Sequence, residues 1–120
     1  MTATFRLTES AREDIASILL WSYEQFGEQA QKRYEALIVA AIRDAATASD
    51  DPGLVERPEL GDGVVSWHLS NSRYRSSGGL VNRPRHFLIC RIDAGVLVVG
   101  RVLHDAMDVG QHVDPAHVWS

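Results

Sequence analysis

From Val96 to Leu103 the chain reads VLVVGRVL, broken only by Gly100 and Arg101. A run this apolar and this short predicts a strand that is covered on both faces or central in its sheet. Just before it, residues 86–92 alternate: Phe87, Ile89 and Arg91 against Leu88, Cys90 and Ile92. The Asp93-Ala94-Gly95 between them suits a tight hairpin, since Asp and Gly tolerate the positive φ that such a turn demands. The pair of strands, 86–92 and 96–103, then breaks into the polar corner His104-Asp105-Ala106-Met107-Asp108. The rest of the chain is expected to pack against this hairpin, with function at the corner.

Upstream, residues 2–7 alternate in the manner of a short half-buried strand. Thr8 is placed to cap a helix, with Ser10 and Glu13 as an alternative capping pair. Ala11, Ile15, Ile18, Leu19, Ser22 and Phe26 then follow one helical face, and Gly27 is a stop. A second helix begins near Glu28, with Ala30, Tyr34, Leu37, Ile38, Ala41, Ile42 and Ala45 on one face, and ends before Pro52. So short a connection implies an antiparallel helical hairpin. Residues 52–63 read as a loop, 64–69 as a strand with Val65, Trp67 and Leu69 on its apolar face, and 70–84 as a mobile insertion. Residues 107–113 suit a short terminal helix and 114–120 a tail. The expected fold is α+β: an N-terminal strand and a helical hairpin packed on a mostly antiparallel sheet of three or four strands, in one domain.

At 120 residues the chain is long enough to bury a core without staples. Its single cysteine, Cys90, leaves no internal disulfide, rules out multi-cysteine zinc sites and suits a reducing cytoplasm. Nothing in Met1–Arg6 reads as a signal peptide, and no apolar run is long enough to span a membrane. No cofactor is expected. Net charge is −4, but residues 64–92 contain five arginines and no acid. A basic segment in an acidic chain points to a local partner that is acidic or carries phosphate. Trp21 and Tyr23 fall off the main apolar face of the first helix, and apolar bulk on a second face is what a partner-covered helix needs.

Several features in order resemble the ParE branch of the RelE/ParE toxin superfamily. They are Leu7-Thr8-x-x-Ala11, Trp21-Ser22-Tyr23 before Gly27, a second amphipathic helix, and Arg101-Val102-Leu103-His104 followed by Met107-Asp108. The likeness covers roughly residues 3–113, with a longer insertion at 70–84 than is usual there. It implies the toxin of a bacterial type II toxin–antitoxin pair, inhibiting growth as a DNA gyrase inhibitor through protein–protein contact. A ParD-like ribbon-helix-helix antitoxin would neutralise it, and operator DNA would be reached only through that antitoxin. On this reading Trp21, Tyr23, Arg83, Arg85 and Arg91 meet the antitoxin. Arg91, Arg101, His104, Met107 and Asp108 meet the target, and no residue is catalytic. The alternative is a RelE-like ribosome-dependent mRNA endoribonuclease working through Arg85, Arg101 and His104, with His68 and His104 as a candidate acid–base pair. Against it, Trp67 and Leu69 stand where that branch places lysines, and the sole lysine, Lys32, is on a helix. A third reading is a toxin-fold domain that only binds its partner.

Overall fold

The computed structural model describes residues 4–48, 50–114 and 117–120. Thr8 opens the first helix: its Oγ1 accepts the Ala11 N–H at 3.1 Å, and Glu9 adds favourable charge in the first turn. Helix α1 (Glu9–Phe26) stops at Gly27, whose φ of +90° any side chain would strain, and α2 (Glu28–Ala46) starts at the next residue. The helical hairpin is as the spacing predicts, with Leu37, Ile38, Ala41, Ile42 and Ala45 buried along α2.

The hairpin lies on a five-stranded mixed sheet of order β1-β5-β4-β3-β2. Strand β1 (Phe5–Leu7) runs parallel to β5 (Val96–His104), and β5, β4 (His86–Asp93), β3 (Val64–His68) and β2 (Leu54–Glu56) pair antiparallel. The expectation of three or four strands is corrected by β2. It lies in the stretch read as a loop, where three residues between a Pro-Gly turn and Pro58 carry no period-two signal. It exists because the edge of β3 is there to pair with. Of the stretch expected as the first strand, residues 2 and 3 lie outside the described residues.

The β4–β5 turn is a tight hairpin as expected, but Asp93 pairs with Val96, so the loop is two residues and not the three read from the sequence; Ala94 (φ +50°) and Gly95 (φ +80°) are both left-handed. From that turn Cys90 pairs with Val99, but Ile89 pairs with Arg101, so Gly100 is an extra residue in β5. A glycine is needed at this bulge, because a Cβ there would come within 2.8 Å of the Trp119 ring.

Both faces of the sheet are covered, which explains the unbroken apolar run in β5. Toward the helices, Trp67, Leu88, Cys90, Leu97, Val99 and Val102 join Leu37 and Ala41 in the main core. On the other face Leu60, Val64, Phe87, Ile89 and Leu103 pack with Val113 and Val118. Each such fully buried aliphatic side chain contributes roughly 1.5–3 kcal/mol. The stretch expected as a tail is therefore packed where it is described. Val118 is buried, Trp119 lies 4.8 Å under the Arg91 guanidinium, and the Ser120 carbonyl accepts from the Glu9 N–H. The terminal helix α3 is only Val109–His112. The 70–84 connection is anchored at its start by a 3-10 turn, Leu69–Ser72, with Leu69 and Ser72 fully buried. No helix among the described residues is long and apolar enough to cross a membrane.

Candidate functional site

The bulge at Gly100 builds the polar corner. A regular ladder from the two-residue turn would set His86 opposite Leu103; the extra residue moves His104 there instead. The two imidazoles meet edge to face, with ring centres 5.2 Å apart. Strand β3 ends beside them at His68, and Tyr34 reaches in from α2.

Hydrogen bonds assign the ring protons. The Tyr34 oxygen accepts the Arg85 N–H at 3.3 Å and is hydrogen-bonded to His86 Nδ1, 2.6 Å away. His104 Nδ1 accepts the Ala106 N–H at 3.0 Å, and His68 Nδ1 accepts the Ser70 N–H at 3.1 Å. In His104 and His68 the accepting Nδ1 leaves the N–H on Nε2. His68 donates that proton to Asp105 Oδ2 at 3.1 Å, and Arg85 Nε donates to Asp105 Oδ1 at 3.1 Å. The His68 hydrogen bond, joined by Arg85, holds the Asp105 carboxyl below the usual carboxylate range. Burial pushes the Tyr34 hydroxyl up to about 12. Burial, reinforced by the neighbouring His104, lowers His86 to about 4. Burial alone pushes the Cys90 thiol up, so it is inert.

His86 makes stability depend on pH. Between its unfolded value of 6.5 and about 4 in the fold, the unfolded chain binds a proton that the folded chain refuses. Stability is therefore full above that window and is lost as pH falls through it. After discounting for solvent screening the loss is about 1–2 kcal/mol. Urea midpoints of the parent and of His86→Gln, compared at neutral pH and at the acid end of the window, check this. The parent should lose more than the variant, and equal losses would remove His86 as the cause.

The corner opens into a cleft of about 530 Å³ between the helical hairpin and the ends of β4 and β5. Ile18, Trp21, Phe26 and Leu80 form its apolar wall; Arg33, Arg83, Arg85, His86 and His104 form its polar end, and no carboxylate lines it. Asp105 faces a second cleft instead, with Arg57, Ser66 and Phe87. Arg83 holds φ +52°, an unusual conformation for a residue with a side chain.

The residues expected at an antitoxin surface are partly brought together. Trp21, Arg83 and Arg85 line this one cleft, and Tyr23 is exposed on the same helix as Trp21. Arg91 is elsewhere, on the sheet face away from the helices and stacked on Trp119. The expected target set does not converge. Arg101 is bound to Asp14 on α1 and to the His112 carbonyl, and Asp108 caps α3 by accepting the Gly110 N–H. Met107 is exposed at the second cleft, and Arg91 and His104 lie toward opposite ends of β4–β5. Of the nuclease set, Arg85 and His104 meet at the corner and Arg101 does not. His68 has both ring nitrogens occupied, and His104 has its basic nitrogen occupied by a backbone N–H. Sequence reasoning missed His86 and Tyr34 as site residues. No known protein-family model matches this chain, and no curated protein matches it.

Proposed function

We propose that this protein is a ParE-like toxin of the RelE/ParE type, acting through protein–protein contact and held by a ParD-like antitoxin. The observation that supports the partner is the outer surface of α1. Leu20, Trp21, Tyr23 and Phe26 are 58%, 54%, 51% and 68% exposed within seven residues of one helix. Leu20 and Tyr23 are neighbours on its solvent side, while Trp21 and Phe26 touch edge to face at the rim of the arginine-bearing cleft. Apolar bulk of this size beside Arg33 and Arg83, which have no ion-pair partner among the described residues, suits an amphipathic, acidic segment, with the aromatics as anchors. The helical hairpin on an antiparallel-dominated sheet supports the resemblance, and the resemblance supplies gyrase as the target.

The corner favours binding over RNA cleavage. Acid–base catalysis needs a nitrogen free to take a proton. At His68 and His104 that nitrogen already accepts a backbone N–H. Purified protein added to a gyrase supercoiling and cleavage assay, beside a translation extract, tests the reading. Trapped gyrase–DNA cleavage complexes with intact mRNA are expected. Cut mRNA with untouched gyrase would overturn the proposal in favour of the nuclease.

A further inference from the structure

We propose that the cleft between the helical hairpin and the ends of β4 and β5 binds the phosphate of a nucleotide, with its base against Trp21 and Phe26. The charged groups at the polar end of the cleft are all arginines, beside two histidines. His104 Nδ1 accepts the Ala106 N–H, so that ring offers only Nε2–H, and His86 Nδ1 is taken up by the Tyr34 hydroxyl. Arg33 and Arg83 have no ion-pair partner among the described residues, and no carboxylate lines the space they border. Arg85 is already bound to Asp105, which leaves the guanidinium groups of Arg33 and Arg83 without an ion-pair partner among the described residues, beside the two imidazoles, around one volume.

Besides these, the polar lining holds only the neutral Ser22, Tyr34 and Asn82, and cationic side chains with no carboxylate reject cations and receive an anion. The two guanidinium groups and two imidazoles together exceed what the two oxygens of one carboxylate use well and suit the three or four oxygens of a phosphate group. The adjoining wall then selects the rest of the ligand. Trp21 and Phe26 are held at right angles with centroids 5.7 Å apart, presenting aromatic surface to a flat ring. Aromatic faces of this kind receive bases of any sequence. The volume, about 530 Å³, lies within the roughly 300–1,000 Å³ range of small-ligand clefts. Arg83 adds an independent sign: a left-handed backbone at a side-chain-bearing residue, φ +52°, is the strain that binding sites retain.

The test is calorimetric titration of the full chain with adenosine 5′-monophosphate, adenosine, inorganic phosphate, a short oligoadenylate and an oligoglutamate peptide. The monophosphate should bind about tenfold or more tightly than adenosine, the scale of one charge-assisted contact, and should weaken as salt rises. Arg83→Gly, which suits the backbone, and Arg33→Gln should each weaken monophosphate binding by about tenfold while thermal unfolding shows a folded protein. Tighter binding of oligoadenylate than of the monophosphate identifies a strand as the source, and equal binding identifies the free nucleotide; both uphold the proposal. Equal binding of adenosine and its monophosphate, or no binding of either, would overturn it. So would unchanged binding by Arg83→Gly, or tighter binding of oligoglutamate, which would make the cleft a carboxylate site. The acidic segment proposed above would meet the same arginines and aromatics, so the two ligands compete for one cleft; tighter oligoglutamate binding overturns the nucleotide and leaves the toxin reading standing, while the gyrase assay tests the toxin reading without any nucleotide.

Discussion

Truncating Trp67 to alanine should cost about 3–5 kcal/mol of folding stability, the largest single effect expected among the described residues. Trp67 is 1% exposed at the centre of the main core, and its indole Nε1 donates to Ser72 Oγ at 2.9 Å. Ser72 is itself fully buried and donates to Asp44 Oδ2 at 2.6 Å, and Asp44 pairs with Arg75. Alanine would therefore leave a cavity and loosen the chain that ties the start of the 70–84 connection to α2. Domains of this size hold a margin of about 5–15 kcal/mol, so the variant should be near unfolding at growth temperature. Trp67→Phe keeps most of the bulk and loses the donor, and should cost about 1–2 kcal/mol. Urea midpoints measured at constant slope separate the two. A loss below about 1 kcal/mol in the alanine variant would mean the site collapses freely and that Trp67 does not organise the core.

Trp67 also shows what the sequence made legible. Its alternation with Ser66 and His68 announced a strand, and the structure gives Val64–His68. The helical hairpin and β4–β5 were equally plain, because a long period of 3.6 and a tight Asp-Ala-Gly turn are local signals. What escaped depends on distant pairing. Strand β2 has only three residues and is specified by the β3 edge it borrows. Val118 and Trp119 sit in a polar stretch with no period, yet they cover a sheet face that only the finished sheet creates. The site divides the same way. His104, Arg85 and His68 stood out at strand ends, whereas Tyr34 was absorbed into the apolar face of α2 and His86 into the start of a strand. One signal was available: a histidine opening β4 and another closing β5 lie at the same end of the hairpin, although only the bulge brings them onto one face. The bulge that aligns them rests on Gly100 in an otherwise apolar run.

Replacing Asp14 with alanine should destabilise the fold by about 2–3 kcal/mol, and more than replacing its partner Arg101 with methionine. The Asp14 carboxylate is 16% exposed and accepts three hydrogen bonds: from Arg101 Nε at 2.6 Å, from Arg101 Nη2 at 3.0 Å and from the Val102 N–H at 3.0 Å. The last of these satisfies β5 beyond the end of β1, where the strand would otherwise present an open edge. Alanine strands a guanidinium that is only 24% exposed together with a backbone donor. Arg101→Met leaves the Asp14–Val102 bond in place, keeps apolar bulk and should cost about 1–2 kcal/mol. This asymmetry bears on function, because Arg101 stands in the segment that resembles the toxin family and invites assignment as a contact residue. Its guanidinium is instead spent on Asp14 and the His112 carbonyl, joining α1, β5 and α3. If the protein is the toxin proposed above, loss of growth inhibition in an Arg101 variant should thus track loss of folded protein. Denaturation midpoints and growth inhibition measured together for Asp14→Ala, Arg101→Met and Arg101→Lys decide this. If all three fall on one line of activity against folded fraction, Arg101 is structural. An Arg101→Met protein that is fully folded yet at least tenfold less toxic than the equally folded parent would return Arg101 to the target surface.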